Sequence, residues 1–320
     1  MRQGISTFYE SLGPQIPVPA YAVDFPSMTT KEEKELLYRL ARQHFTGEGV
    51  IIDAGLFLGA STNAFAWGIK ERGSDLTLQV HRPINAYEIA IWHSAGFDKY
   101  LENPQTGSML GHVKYNDGDD YSPLLRRLLS KHEDLIDFKF GDIVKLAAVD
   151  KPVEIAFYDC LKSYERDWAA FKAFGPHFIV GHTVVVQQDY FYEDALDNKI
   201  RQEFLSPYFE FLGAVSTSAV FRLVKPIPPS FFAIDPLGEL SVEQSITLLD
   251  SAARRIPLSA CSIYAELGVV RYMIGHGEFE EAAARLDEID KIISATSLPP
   301  RPATVAKQAR DYLVRERDRR

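Results

Sequence analysis

The chain has 320 residues, of which 46% are apolar and 25% charged, with a net charge of −9 and a pI near 5.5. That acidity argues against a nucleic-acid partner, because binding a phosphate backbone normally leaves a basic patch or stripe. Two cysteines, Cys160 and Cys261, are too few for a disulfide framework and fit a reducing cytoplasm. No run approaches the ~20 apolar residues of a membrane span, and residues 1–10 lack the apolar core of a cleavable leader.

Residues 1–28 are rich in proline (Pro14, Pro17, Pro19, Pro26) and read as a surface arm, with its boundary at 30. Thr30 and Glu33 form a capping-box pattern that opens a helix to about 45. Its apolar face is Leu36, Leu37, Leu40, Ala41 and Phe45. The run IIDAGLFLGAS (51–61) then reads as a short buried strand over 50–52, an acidic residue, and a glycine turn into a helix starting near Ser61. Its spacing, Asp53-x-Gly55-x-x-x-Gly59, is not the Gly-x-Gly-x-x-Gly of dinucleotide-binding folds. A carboxylate at this turn suits a cationic or hydroxyl-bearing ligand better than a polyphosphate. Gly55 and Gly59 let the backbone bend sharply and approach a ligand; a purely structural turn is the other reading.

A second strand over 84–87 ends at Glu88. A carboxylate there can accept from both hydroxyls of a ribose, although an ordinary surface glutamate would look the same. The interval from Gly55 exceeds the usual ~20 residues, so 73–83 is read as an insertion. Residues 89–122 mix Trp92, Phe97, Tyr100, Tyr115 and Tyr121 with loop formers, and read either as a lid or as ordinary packing. A helix over 122–132 leads to a third strand within 135–143, which places Asp142 at its C-terminal edge. A fourth strand over 153–160 ends at Asp159, a helix carries Trp168, Phe171 and Phe174, and a fifth strand spans 183–190. Segments 208–212 and 219–224 look like an antiparallel pair. Strands and helices alternating in this way predict a doubly wound, mostly parallel, seven-stranded α/β sheet.

Residues 231–320 change character, with helical periodicity over 242–256, 260–274, 278–293 and 305–314. The stretch from Ala265 to Ala282 resembles a single tetratricopeptide-type hairpin, which needs neighbours to be stable. It is therefore expected to pack on the sheet domain or on a second copy, as a homodimer contact. The domains expected are an arm (1–30), a sheet domain (31–228) and a helical appendage (229–320). The eight histidines show no zinc spacing, and no Gly-x-Ser-x-Gly elbow marks a hydrolase. His93 and His112 are candidate bases, His182 a turn residue at the far sheet edge, and Cys160 a core thiol.

From 30 to 226 this combination resembles class I S-adenosylmethionine-dependent methyltransferases, with 51–61 as motif I and a Rossmann-like sheet implied. YDCLKS (158–163) and VVVQQDY (184–190) look like a bacterial branch similar to macrocin-type O-methyltransferases, which modify sugars and natural products. The resemblance implies S-adenosylmethionine as cofactor and a polar small molecule, glycan or natural-product hydroxyl as acceptor. It implies that Asp53, Gly55, Gly59 and Ser61 surround the methionine part, Glu88 the ribose and Asp142 the adenine. At the acceptor it places Asp159, Asp189 and Lys162 as catalytic groups, with Gln188, Tyr190 and Tyr192 touching substrate. The branch often holds Mg²⁺ through an Asp after strand four and an Asp-Asp pair after strand five. Here the set is Asp159 with Gln188 and Asp189, and the amide supplies no charge, so no metal is the expectation and Mg²⁺ the disfavoured option. A non-catalytic scaffold, whose helical tail mediates assembly, is the alternative from another class.

Overall fold

The computed structural model describes residues 8–10, 12–102, 104–111 and 113–319. His112 and residues 1–7 of the arm lie outside them. The capping box forms as its sequence requires: Thr30 Oγ1 accepts from the Glu33 N–H, and Glu33 Oε2 accepts from the Thr30 N–H at 2.8 Å. Helix α1 (Lys31–Arg39) runs on as a π-helical turn (Leu40–His44), and Leu36, Leu37, Leu40, Ala41 and Phe45 are all buried.

Strand β1 (Val50–Ala54) is buried along its whole length, as a central parallel strand covered on both faces must be. Asp53 lies within it rather than after it. Helix α2 (Ala60–Lys70) returns the chain to β2 (Ile84–Glu88). The remaining strands are β3 (Ile136–Phe140), β4 (Val153–Tyr158), β5 (Val184–Gln187), β6 (Phe209–Val215) and β7 (Ser218–Leu223). Their order in the sheet is β3-β2-β1-β4-β5-β7-β6. β1 to β5 are parallel, and β7 runs antiparallel between β5 and β6. The order reverses between β1 and β4, the switch point at which doubly wound sheets open a ligand crevice beyond their strand ends.

One apolar layer, with Leu36, Phe65, Ile51 and Phe157, fills the face under α1 and α2. The opposite layer holds Ile52, Phe174, Val185, Tyr190 and Phe221 under helix α6, which the chain forms at Tyr164–Phe174. Between β2 and β3 the chain builds α3 (Ser94–Glu102), α4 (Pro104–Leu110) and α5 (Ser122–Leu128). These pack around Trp92 and Tyr121, both fully buried, and an Ile91–Asp120 bridge closes the neck. The aromatic connection is thus a small packed body at the crevice rim.

Helix α7 (Asp197–Phe204) follows β5, and α8 (Val242–Ala253), α9 (Ala260–His276), α10 (Phe279–Ala295) and α11 (Pro300–Arg319) complete the chain. α8 and α9 each open with a capping box, and α9 stops at Gly277 in a left-handed conformation. The helices share a core of Leu249, Leu267, Val270, Leu286 and Leu313. Ala252, Ala253, Cys261 and Ala265 belong to the same apolar layer as β4, β5 and β7. The appendage therefore packs directly on the sheet. Among the described residues no helix is long and apolar enough to cross a membrane.

Candidate functional site

The crevice is built first by the turn after β1. Gly55 has φ +99°, and a Cβ there would stand 2.9 Å from the Cys160 backbone nitrogen, so only glycine lets the two chains pass. Phe57 is also left-handed (φ +49°), and its N–H donates to Glu88 Oε2 at 2.7 Å. Gly55, Glu88, Gly141, Asp142, Cys160 and Arg166 line one cleft of about 360 Å³, counted to its open mouth. Burial pushes the Glu88 carboxyl up, against the pull of the Phe57 and Ala90 N–H groups. Asp142 accepts from the Val144 N–H at 3.1 Å, capping a single helical turn (Ile143–Leu146).

Asp53 stands behind this cleft rather than in it. Its carboxylate has no exposure and accepts from Ser61 Oγ at 3.0 Å and from Thr62 Oγ1 at 2.5 Å. Burial raises its pKa to about 7, although Thr62 and Ser61 act against the rise. Ser61 is spent on the same bond. Gly59, at φ +92°, is pressed against Leu129, whose Cδ1 would lie 2.7 Å from an added Cβ. Of the three carboxylates expected to converge, Glu88 and Asp142 share the cleft, and Asp53 locks the start of α2 from within the strand.

A second polar cluster adjoins the cleft through the Asp159–Cys160 peptide. Lys162 Nζ lies 2.6 Å from Asp189 Oδ2 and 3.4 Å from Asp159 Oδ1. Asp189 is left-handed (φ +56°), and its Oδ1 accepts from Gln188 Nε2 at 2.7 Å and Thr217 Oγ1 at 3.0 Å. Glu33, buried at the start of α1, accepts from Ser218 Oγ at 2.7 Å. Burial raises the Asp159 pKa to about 7; Lys162 opposes the rise, whereas the charges of Asp189 and Glu33 reinforce it. Burial pulls Lys162 down, but the two aspartates outweigh it and hold the ammonium above its usual range. Gln188 is buried, and among the described residues its Oε1 has no hydrogen-bond partner. Among the described residues no three His, Cys, Asp or Glu side chains form a metal-holding group.

One expectation at the acceptor side needs correction. Tyr190 does not face the crevice: it is fully buried, and its hydroxyl donates to Glu203, which Arg255 also holds. The left-handed turn at Asp189 sends the next side chain back into the core layer. Cys160 packs half-buried against the core layer, as expected of a core thiol, and because β4 stops at Tyr158 it also lines the cleft. Tyr192 stays near the surface, half-buried, beside Tyr264 and under the Arg301 guanidinium, 5.1 Å from its ring centroid. Its backbone carbonyl accepts from the buried Lys199 ammonium. His182 sits at the opposite edge of the sheet, 2.9 Å from Glu154 and stacked on His44. His93 is exposed, 3.9 Å from Asp117. Glu33, Phe57, Arg166 and Thr217 were not anticipated. A capping box already accounted for Glu33, and no spacing in the chain shows that α1 meets the β6–β7 turn.

These elements define a doubly wound α/β protein with a cleft lined by two carboxylates and an adjoining Asp–Lys–Asp cluster. No family model matches the chain, and no curated protein matches it in sequence. Among solved structures it is similar to the O-methyltransferase NovP (14% identity, 62% of this chain and 83% of that one, TM-score 0.45). It is also similar to CalS11, a TDP-rhamnose 3'-O-methyltransferase of calicheamicin biosynthesis (16%, 69% and 91%, 0.40). A third likeness is to an O-methyltransferase from Bacillus cereus in complex with SAH (13%, 70% and 99%, 0.41).

Proposed function

We propose that this chain is an S-adenosylmethionine-dependent methyltransferase of the class I type, acting on a hydroxyl of a polar small molecule of saccharide or natural-product character. The observation that carries this reading is that Glu88, Asp142 and the side-chain-free backbone at Gly55 line one cleft, separated by a single peptide bond from Asp159. The residues suit the cofactor. Glu88 accepts from the Phe57 N–H on one oxygen and from the Ala90 N–H, at 3.4 Å, on the other, and each oxygen keeps a lone pair for a ribose diol. Gly55 lets main chain flank the ligand, and the surrounding carboxylates favour a sulfonium charge. Bound there, S-adenosylmethionine would supply an already activated methyl group.

The chain's own task is to position the acceptor and take its proton. Proximity supplies much of the rate in such displacements. Asp159, raised to about 7, suits a general base working near neutrality. Lys162 fixes the separation of Asp159 and Asp189, and the orphaned Gln188 Oε1 offers an acceptor for a substrate hydroxyl. Calorimetry of the full chain with S-adenosylhomocysteine tests the reading. Micromolar binding that is lost in Glu88→Ala supports it; no binding to the wild type at any attainable concentration ends it.

A further inference from the structure

The Asp159–Asp189 pair poses a physical question that the proposed reaction leaves open, namely what neutralises two carboxylates held at adjacent parallel strand ends. A divalent ion is the usual answer for hard oxygen ligands, and it asks for about six oxygens with free lone pairs. The groups found here do not meet that demand. Asp189 Oδ1 is already taken by two donors, Gln188 Nε2 and Thr217 Oγ1. The amide of Gln188 adds no charge. The space between the carboxylates is occupied by the Lys162 ammonium, at 2.6 and 3.4 Å.

We infer that Lys162 is a tethered cation: its ammonium fills, as part of the chain, the place between Asp159 and Asp189 that would otherwise call for a divalent metal ion. The tether is short, since Lys162 follows Asp159 by three residues and the Lys162 N–H bonds back to the Cys160 carbonyl at 3.0 Å. An ammonium has three donors and no acceptor, so it can bind both aspartates and keep one N–H for an acceptor oxygen. The left-handed backbone of Asp189 is what turns that carboxylate toward Lys162, a strained conformation of the kind that persists where surrounding structure enforces it. In this arrangement Lys162 is a positioning residue. Its use in catalysis rests on the methyltransferase reading, whereas its occupation of the cation site does not.

The test is metal occupancy, read with Mn²⁺ by electron paramagnetic resonance on the full chain without cofactor or acceptor. The wild type is expected to leave Mn²⁺ free at equimolar concentration. Lys162→Ala is expected to take up one ion, about tenfold or more tighter than wild type, because removing a unit charge this close to a carboxylate leaves it uncompensated. Lys162→Ala with Asp189→Ala should lose that uptake. Lys162→Met keeps the side-chain volume; it serves if the alanine variant does not fold, and should show the same gain. The inference is overturned if the wild type binds one Mn²⁺ through Asp159 and Asp189, or if folded Lys162→Ala and Lys162→Met gain no binding. Either failure would leave S-adenosylhomocysteine calorimetry unaffected, so the two proposals fall separately.

Discussion

The Phe57 N–H donates to Glu88 Oε2 at 2.7 Å, which ties the turn after β1 to the end of β2 before any ligand arrives. Phe57 is in turn held from outside by Phe97 and Tyr100, with ring centroids 4.5 and 5.0 Å away. The packed body between β2 and β3 thus stabilises the carboxylate that faces the cleft. Glu88→Ala should weaken S-adenosylhomocysteine binding by about 2–3 kcal/mol, or roughly 30–150-fold, since a charged hydrogen-bond acceptor is lost. Glu88→Gln should cost less. Titration calorimetry checks both.

Glycine at 55 should be irreplaceable in a way that glycine at 73 is not. Both have positive φ, but Gly73 has nothing within 4 Å of an added Cβ, whereas Gly55 faces Cys160. Gly73→Ala should lower stability by about 1 kcal/mol, the cost of the left-handed conformation alone. Gly55→Ala should cost clearly more, and should also narrow the cleft. Denaturant unfolding of the two variants gives the comparison.

Turnover should depend on pH through Asp159. The base must be ionised, and burial sets its pKa at about 7, so the rate with saturating substrates should climb from pH 6 to 8 and then level. Asp159→Asn should lower kcat by about 10²–10⁴-fold, the usual worth of a general base, with S-adenosylhomocysteine affinity changed little. A rate that is flat across this range would place the proton elsewhere.

Acid should loosen the fold through half-buried His44 and buried His132. Burial lowers both His44 and His132 to about 4, below the unfolded value near 6.5. The unfolded chain therefore binds more protons between pH 6.5 and 4, and stability from these groups is lost as pH falls through that window. Asp53, raised to about 7, acts with opposite sign and loses stability as pH rises from about 4 to 7. His44→Gln keeps a donor for the His182 carbonyl, 2.8 Å away, and should reduce the acid loss. Thermal melts at pH 4.5, 5.5 and 6.5 would show it.

Neighbouring tyrosines should separate packing from recognition. Tyr190→Phe removes the hydroxyl that Glu203 accepts from in the core, and should cost about 1–2 kcal/mol of stability with acceptor KM unchanged. Tyr192→Ala removes a half-buried ring that packs beside Tyr264 and under Arg301, so it should cost some stability as well, and on the proposed reading it should also raise the acceptor KM. Paired kinetics and unfolding curves decide between the two behaviours.

Much of the architecture was legible in the chain because it is written locally. The capping box at Thr30 and Glu33, the apolar runs of β1 and β4, and the glycine turn at 55 each follow from a few adjacent residues. The antiparallel pair at the sheet edge was legible in the same way, although its insertion order, β7 before β6, was not. The site was legible only as far as strand ends could place it. Glu88, Asp142, Asp159 and Asp189 stand at those ends, but nothing local fixes where a side chain points once the strand has stopped. One left-handed residue, Asp189, reverses Tyr190; one early stop, at Tyr158, brings Cys160 to the cleft wall. Glu33 meets the cluster through Ser218, 185 positions away in sequence, a relation that only the folded chain contains.

The shared apolar layer between the sheet and the last helices has a practical meaning for handling this protein. A fragment ended at 228 would strip Ala252, Ala253, Cys261 and Ala265 from a surface that includes Tyr190 and Phe221. It would also cut the Arg255 support of Glu203 and the contact from Cys261 to the Ser216 carbonyl, beside the turn that steadies Asp189. Such a fragment would be sticky and slack beside Asp189, so the last helices act as a buttress to the sheet as well as filling their own core.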